Sequence, residues 1–355
     1  MPRPTRKLGA MLIPLAICTA AGSALQLAGV ANGMLVGAFV AALFLSRTYP
    51  AMEEVPGGVI VMQIIVGLSV GESLRNHLGM ESGSLALLVV GTLIALVIQW
   101  LASFSFLRIF RWRRADAALA AYPGAMASVL ELTDRNDVNP SVILVHVVRV
   151  FVIATGASLM MREQSQVVWT APGTVEGLLI IALNVIACLT FGKLLAMAAM
   201  PAPFLLAAVL TTLAAGHLSP QYSFSPPPIA LNVAEALLAV AVMIRLKKVN
   251  LEQVRGHMVS IFLVICVMAA VSILTALCLT KFRGGGFEEN VLGIVPGGIE
   301  SVAIIAVGAG LNVAAVMKMH LIRLIAVQVI PTLIIQGGRA CQWFRGRAQP
   351  KENPD

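Results

Sequence analysis

Charge is what this chain has least of. Asp, Glu, Lys and Arg make up 12% of its 355 residues, about half of the ~25% carried by soluble globular proteins. Aromatic residues reach only 6%. With a mean hydropathy of +0.89, polar side chain is too scarce to wet the outside of a compact domain. An ordinary cytosolic enzyme, a disordered chain and a soluble DNA-binding module are excluded. Cysteine is sparse and scattered: Cys18, Cys188, Cys266, Cys278 and Cys341 form no CxxC and have no neighbouring His in sequence. They read as small apolar residues, not as a disulfide or metal set. The five histidines show no HxxxH or ExxH spacing, so the clustered ligands of a metal oxygenase are missing. No Walker motif, nucleophile elbow or dinucleotide fingerprint occurs. A non-enzyme without cofactor or metal is expected.

What the chain does have is apolar residues, at 58%, together with 30 glycines and 18 prolines. Such a composition suits an all-α, polytopic membrane helix bundle with close-packed and interrupted helices. The formal charge of +8 lies mostly in short connections between apolar runs, where it orients the chain; no nucleic-acid partner is expected. Crossing ~30 Å of hydrocarbon takes about 20 helical residues. Runs of that size lie near 8–30, 57–74, 83–107, 140–161, 173–198, 226–244, 258–280 and 313–336. Four more, at 32–46, 115–131, 201–216 and 287–308, are short or interrupted by Gly and Pro. The first run follows Arg3, Arg6 and Lys7 in the manner of a signal peptide, but it is too long for one and has a mid-chain counterpart, so it reads as a membrane helix.

That counterpart belongs to an internal duplication. Ala121-Tyr122-Pro123-Gly124-Ala125-Met126-Ala127-Ser128-Val129 reappears 173 residues later as Ile294-Val295-Pro296-Gly297-Gly298-Ile299-Glu300-Ser301-Val302. His146-Val147-Val148-Arg149 reappears at a spacing of 174 as His320-Leu321-Ile322-Arg323, and Asn139 and Asn312 fall between the motifs in each copy. Upstream, Pro56 meets Pro226 and Arg75 meets Arg245 at a spacing of 170. Two homologous membrane repeats are expected, 1–170 and 171–355. One dense basic group, Arg108, Arg111, Arg113 and Arg114, follows the fourth segment of the first half. In the second half the group Arg245, Lys247, Lys248 and Arg255 follows the third. A displacement by one loop is what inverted halves produce. The positive-inside rule favours Pro-Gly segments that enter and leave on one side, with the N-terminus cytoplasmic.

Each Pro-Gly step can open a helix, and in a bilayer the freed backbone groups need protein or water as partners. Two broken helices at corresponding places in two repeats point to a transporter site near the midplane. The half-helix after each break offers N–H donors to an anion. Arg149 and Arg323 lie inside apolar runs, where an arginine costs ~2.5–3.5 kcal/mol on insertion scales. Each therefore faces an anion in a cationic pocket, or ties its helix to a carboxylate such as Glu300 or Glu131 or to an opened backbone. His146 and His320 share a face with the arginines. They read as hydrogen-bonded helix residues or as proton relays. Gly67, Gly71 and Glu72 give the third segment a glycine-spaced face. Asn184, Asn232 and Glu235 are further polar residues in apolar runs; Glu235 is a candidate for a coupling ion or proton, beside the plainer role of interhelical hydrogen bonding.

These residues resemble the AbrB-duplication family of bacterial multi-pass membrane proteins, distinct from the small DNA-binding regulator of similar name. The resemblance covers essentially the whole chain and rests on Pro123-Gly124-Ala125, Pro296-Gly297-Gly298-Ile299-Glu300, Arg149 and Arg323. It implies a multi-pass protein of the bacterial inner membrane, described as a membrane regulator of gene expression and carrying an inherited label of ammonia monooxygenase. Neither role is readable from the residues. The family has a carboxylate after each Pro-Gly-Gly; here Glu300 keeps one, while Ala127 stands in the first copy, Ala125 replaces a glycine, and Glu131 is the nearest acid.

The expected function is a secondary transporter or exporter of a small anionic solute. Its binding residues would be Pro123, Gly124, Ala125, Arg149, Pro296, Gly297, Gly298, Glu300 and Arg323, with His146, His320 and Glu235 as relay candidates. Expected partners are the lipid bilayer, the solute, and either a second copy or a cytoplasmic protein. The alternative is a membrane-embedded regulator of gene expression, which would need such a partner because no loop is long enough to form an output domain. A membrane monooxygenase is the weakest reading.

Overall fold

A chain in hydrocarbon has to close its backbone hydrogen bonds within itself, and a helix does so within one segment. The computed structural model describes residues 4–30, 33–49, 51–53, 55–77, 85–123, 139–160, 175–198, 200, 202–247, 251–297, 299–323 and 325–327. Among the described residues there is no strand. The helices are α1 (Pro4–Leu27), α2 (Gly33–Thr48), α3 (Gly58–His77), α4 (Leu85–Ile109), α5 (Arg114–Ala121), α6 (Pro140–Met160), α7 (Val175–Met197), α8 (Pro203–Leu218), α9 (Pro228–Lys247), α10 (Leu251–Val254), α11 (Met258–Arg283), α12 (Phe287–Ile294) and α13 (Ile299–Gly308). A final one, α14, covers 313–323.

Among the described residues five stretches are long and apolar enough to cross a membrane: Gly9–Leu27, Gly58–Arg75, Ala86–Ile109, Val175–Met197 and Arg255–Phe282. Shorter apolar helices at Gly33–Thr48, Pro140–Val152, Pro203–Leu218 and Pro228–Ile244 fill the space between them. The long helices α1, α4, α7 and α11 are apolar all round and turn large side chains outward: Ile13, Ile94, Leu183 and Phe262 are each at least 47% exposed. The core is built mainly from α2, α3, α6, α8, α9 and α13, with α14 and the inner face of α11 completing it. An apolar perimeter around an apolar core is stable only against lipid. The chain is a polytopic helical membrane protein.

Corresponding helices recur at constant offsets. α2 and α8, and likewise α3 and α9, begin and end 170 residues apart; α4 and α11 begin 173 apart, and α5 and α12 begin and end 173 apart. Their packing recurs too. A Cβ on Gly22 of α1 would lie 2.4 Å from Met34 O on α2, and one on Gly192 of α7 would lie 2.3 Å from the Phe204 ring on α8. Both pairs keep the 170 spacing. The glycine-spaced face of α3 meets α8: a Cβ on Gly67 would stand 2.6 Å from both Leu205 O and Ala208 Cβ, and one on Gly71 2.8 Å from Thr212 Cβ. Small residues therefore set the α3–α8 distance, as they do in membrane helix pairs generally. Gly67→Val is expected to push α3 and α8 apart and to cost about 1–3 kcal/mol, read as a lower melting temperature of the detergent-solubilised protein.

Helix directions follow from matched contacts. Along α4 and α11, Gly91 packs on Leu279, Gln99 Nε2 donates to Ser272 Oγ at 2.7 Å, and Trp112 Nε1, just past α4, donates to Ser260 Oγ at 2.9 Å. As one number rises the other falls, so these two corresponding helices run antiparallel. α3 and α8 run parallel, because Gln63 reaches Phe204 N while Arg75 packs on Gly216. α7 is antiparallel to α8: Cys188 Sγ lies 2.9 Å from Thr211 Oγ1, and Asn184 Nδ2 donates to Thr212 Oγ1 at 3.2 Å, the interhelical role open to that buried asparagine. Near the far end of α3, Glu72 takes the Arg75 guanidinium at 2.8 Å and the Phe224 N–H at 3.4 Å, fastening the 219–227 connection. The opposite end of the bundle joins the start of α1 to the turn after α2 (Glu53 N to Ala10 O, 3.2 Å). The end of α9 reaches the same turn (Lys247 Nζ to Met52 O, 3.4 Å).

Candidate functional site

Proline at position i removes the N–H that would serve the carbonyl of residue i−4. For Pro123 and Pro296 the deprived carbonyls are those of Leu119 and Leu292. Both helices stop there: α5 ends at Ala121 with Tyr122 extended (φ −60, ψ 126), and α12 ends at Ile294 with Val295 extended (φ −55, ψ 134), the conformation a following proline favours. Gly297 N–H then closes a three-residue turn onto Val295 O at 2.8 Å.

The two HxxR motifs meet these openings. His146 Nε2 lies 3.0 Å from Leu119 O, and His320 Nε2 lies 2.8 Å from Leu292 O. One turn on, Arg149 Nη1 donates to Tyr122 O at 2.9 Å. Arg323 Nη1 donates to Val295 O at 2.5 Å and its Nη2 to Gly297 O at 2.8 Å. The fit has a simple cause. α5 and α6 run in the same direction, as do α12 and α14, so a His-x-x-Arg pair three residues apart faces two carbonyls three residues apart. A donor supplied by histidine replaces the one lost to proline, and its Nε2 must carry the proton.

All four side chains are buried: Arg149 is 2% exposed and Arg323 8%, and both histidines are 1% exposed. Among the described residues no carboxylate pairs with Arg323; its partners are backbone oxygens. Tyr122, at the first opening, donates its hydroxyl to Val327 O beyond α14. The two openings therefore meet in one buried region. Polar atoms there remain unpartnered among the described residues: His146 Nδ1, His320 Nδ1 and Ser301 Oγ.

The segments carrying the openings start and return at one level. Asn139, whose Oδ1 takes the Ser141 N–H (2.9 Å) at the start of α6, donates Nδ2 to Asp116 at the start of α5 (3.1 Å). Asn312 does the same for α14 through Ala315 N (3.1 Å), and its own N–H reaches Glu289 at the start of α12 (3.1 Å). Asp116 and Glu289 are 173 apart. Asn139 and Asn312, which follow the Pro-Gly motifs in sequence, thus stand at the levels from which α5 and α12 set out.

Of the residues singled out from sequence, Pro123, Pro296, Gly297, Arg149, Arg323, His146 and His320 come together here. Gly124, Ala125, Ala127, Glu131 and Gly298 lie outside the described residues. Glu300 is the second residue of α13, and its side chain is likewise outside them. Glu235 is half-buried on α9, which packs against α6 and α13. Between the two arginine roles left open by the sequence, the contacts seen are those to opened backbone. The histidine contacts were not foreseen, although counting four residues back from each proline names their carbonyl.

No solved structure matches the chain. Its sequence matches the family described as "Transition state regulatory protein AbrB" over residues 34–337. A curated protein of Escherichia coli (strain K12), named "Putative regulator AbrB", is 26% identical over 318 residues, spanning 83% of this chain and 86% of the relative. The family match contains both Pro-Gly openings and both HxxR motifs, and the chain belongs to the AbrB family.

Proposed function

We propose that the chain is a secondary transporter or exporter of a small anionic solute, made of two inverted repeats, 1–170 and 171–355. The observation that carries the reading is the meeting of two openings, each held by a buried arginine of its own half and joined by the Tyr122 hydroxyl on Val327 O. Supporting the inversion, the corresponding helices α4 and α11 run antiparallel, and the basic turns at Arg108–Arg114 and Arg255 lie at one end of the bundle. By the positive-inside rule that end is cytoplasmic, with the N-terminus on the same side and the inner membrane as the location. α5 then enters from the cytoplasmic side and α12 from the opposite side, which gives each face of the membrane its own path to the arginines. The positive field of Arg149 and Arg323 selects an anion, and the Ser301 hydroxyl supplies a hydrogen-bond donor. Glu235, His146 and His320 are the candidates for a coupled proton or ion.

The test is flux of radiolabelled small carboxylates and inorganic phosphate in proteoliposomes holding wild type or Arg323→Lys. Lysine keeps the charge but cannot span Val295 O and Gly297 O together, so flux is expected to fall at least tenfold. Zero flux for every anion in the wild type would sink the proposal.

The relatives' names favour a second reading, a regulator of gene expression. With no loop long enough for an output domain, regulation would pass through a cytoplasmic partner or through the solute pool that transport changes. An expression phenotype that survives Arg323→Lys would separate the partner route from the solute route.

A further inference from the structure

The structure assigns to the cytoplasmic end of the bundle a binding site for the phosphate headgroups of anionic phospholipids, built from Arg108, Arg111, Arg113, Arg114 and Arg255. The turn after α4 presents four exposed arginines, and its shape is fixed from beneath. Trp112 is buried, its indole bonded to Ser260 Oγ at 2.9 Å and packed on the His257 ring at 4.7 Å. That seat brings the exposed Arg255, two residues before His257, beside the turn. Arg108 folds back to donate to Trp112 O. Five cations are thereby collected around one fixed tryptophan.

Two further observations point to lipid. Ile109 is 75% exposed, Phe110 39% and Met258 44%, so a rim of large apolar side chains adjoins the arginines, as expected where hydrocarbon gives way to headgroups. Arg111 also holds a left-handed backbone (φ 61), which strains a non-glycine residue. The corresponding turn of the second half carries Gly284 (φ 81) at that place, followed by Gly285 and Gly286 where the first half has Trp112 and Arg113. The second-half turn carries Lys281 and Arg283 ahead of its glycines, while the first-half turn adds a strained arginine where glycine would satisfy the geometry, bringing its basic residues to four. Two acids lie near the cluster, Asp116, which accepts from Asn139 Nδ2 (3.1 Å), and the exposed Glu252, and the five arginines outnumber them.

Juxtamembrane arginines attract anionic headgroups by about 1 kcal/mol each, or about fivefold in affinity. The experiment measures phosphatidylglycerol, phosphatidylcholine and inorganic phosphate against the detergent-purified full chain, by native mass spectrometry and by shift of the melting temperature. Wild type is expected to retain and be stabilised by phosphatidylglycerol and not by phosphatidylcholine. Arg111→Gln/Arg113→Gln/Arg114→Gln should weaken phosphatidylglycerol binding on the order of 100-fold, while the three-lysine variant keeps most of it. Arg111→Gly separates binding from folding: its lipid-free melting temperature should hold or rise as its affinity falls about fivefold. Unchanged phosphatidylglycerol binding in the three-glutamine variant overturns the site. Equal protection by inorganic phosphate overturns the headgroup as its ligand.

Discussion

Cysteines substituted for Ala115 and Glu288 are expected to react with a membrane-impermeant maleimide from opposite sides of the membrane, with the labelling rates differing by at least tenfold for each in intact cells against inverted vesicles. These positions are 173 residues apart, exposed, and both in the first turn of a short helix, α5 or α12. In parallel halves they would share a side. The chain of contacts leading to opposite sides is short. Trp112 sits against Ser260, so the end of α4 and the start of α11 are together. Gly91 sits against Leu279 near their other ends. Since α5 follows α4 and α12 follows α11, the two short helices start at opposite ends of this antiparallel pair. The background needs all five native cysteines removed, because Cys266 and Cys278 are exposed on α11. Labelling of both cysteines from one side would remove the inverted-repeat reading and, with it, the two-sided access on which transport depends.

His320→Leu is expected to destabilise the protein by about 1–3 kcal/mol, the range for a buried carbonyl left without a donor, and Pro296→Ala should cancel much of that loss. Leu292 O has His320 as its donor among the described residues, because Pro296 cannot supply the helical N–H. Alanine at 296 can. The two substitutions should therefore be non-additive by ~1 kcal/mol or more in a double-mutant cycle, measured by denaturation in mixed micelles. His146→Leu should cost less, since Leu119 O also accepts from Tyr122 N at 3.2 Å. If His320→Leu were neutral in the wild-type background, or additive with Pro296→Ala, the histidine would not be standing in for the proline's missing donor. A proton relay through His320 would instead appear as a change in the pH profile of flux with stability unchanged.

Several features were legible from composition and spacing. Scarce charge and long apolar runs identify a membrane protein, because the energetic cost of bare backbone in lipid leaves few alternatives to helices. The duplicated Pro-Gly and HxxR segments located the openings and the buried arginines, since few residues besides Pro remove a helical donor and few charges sit inside such runs unassisted. Even the close approach of α3 to α8 was foreshadowed by Gly67 and Gly71, though not the helix they would meet.

What sequence left undecided was what each buried group touches. Arg149 and Arg323 could equally have faced a carboxylate, an anion or opened backbone, because insertion cost demands a partner without specifying which. Packing brings opened backbone to both: the HxxR helices lie alongside the broken ones in the same direction, and a three-residue spacing of donors meets a three-residue spacing of carbonyls. Likewise the repeat says that two halves are alike, and the displacement of the basic groups by one loop was the residues' only sign of direction. That α4 and α11 run antiparallel was not legible, because helix polarity is a property of how segments pack and not of the residues they contain. The opening scarcity of charge is thus a statement about solvent, while the placement of the few charges that remain is a statement about neighbours.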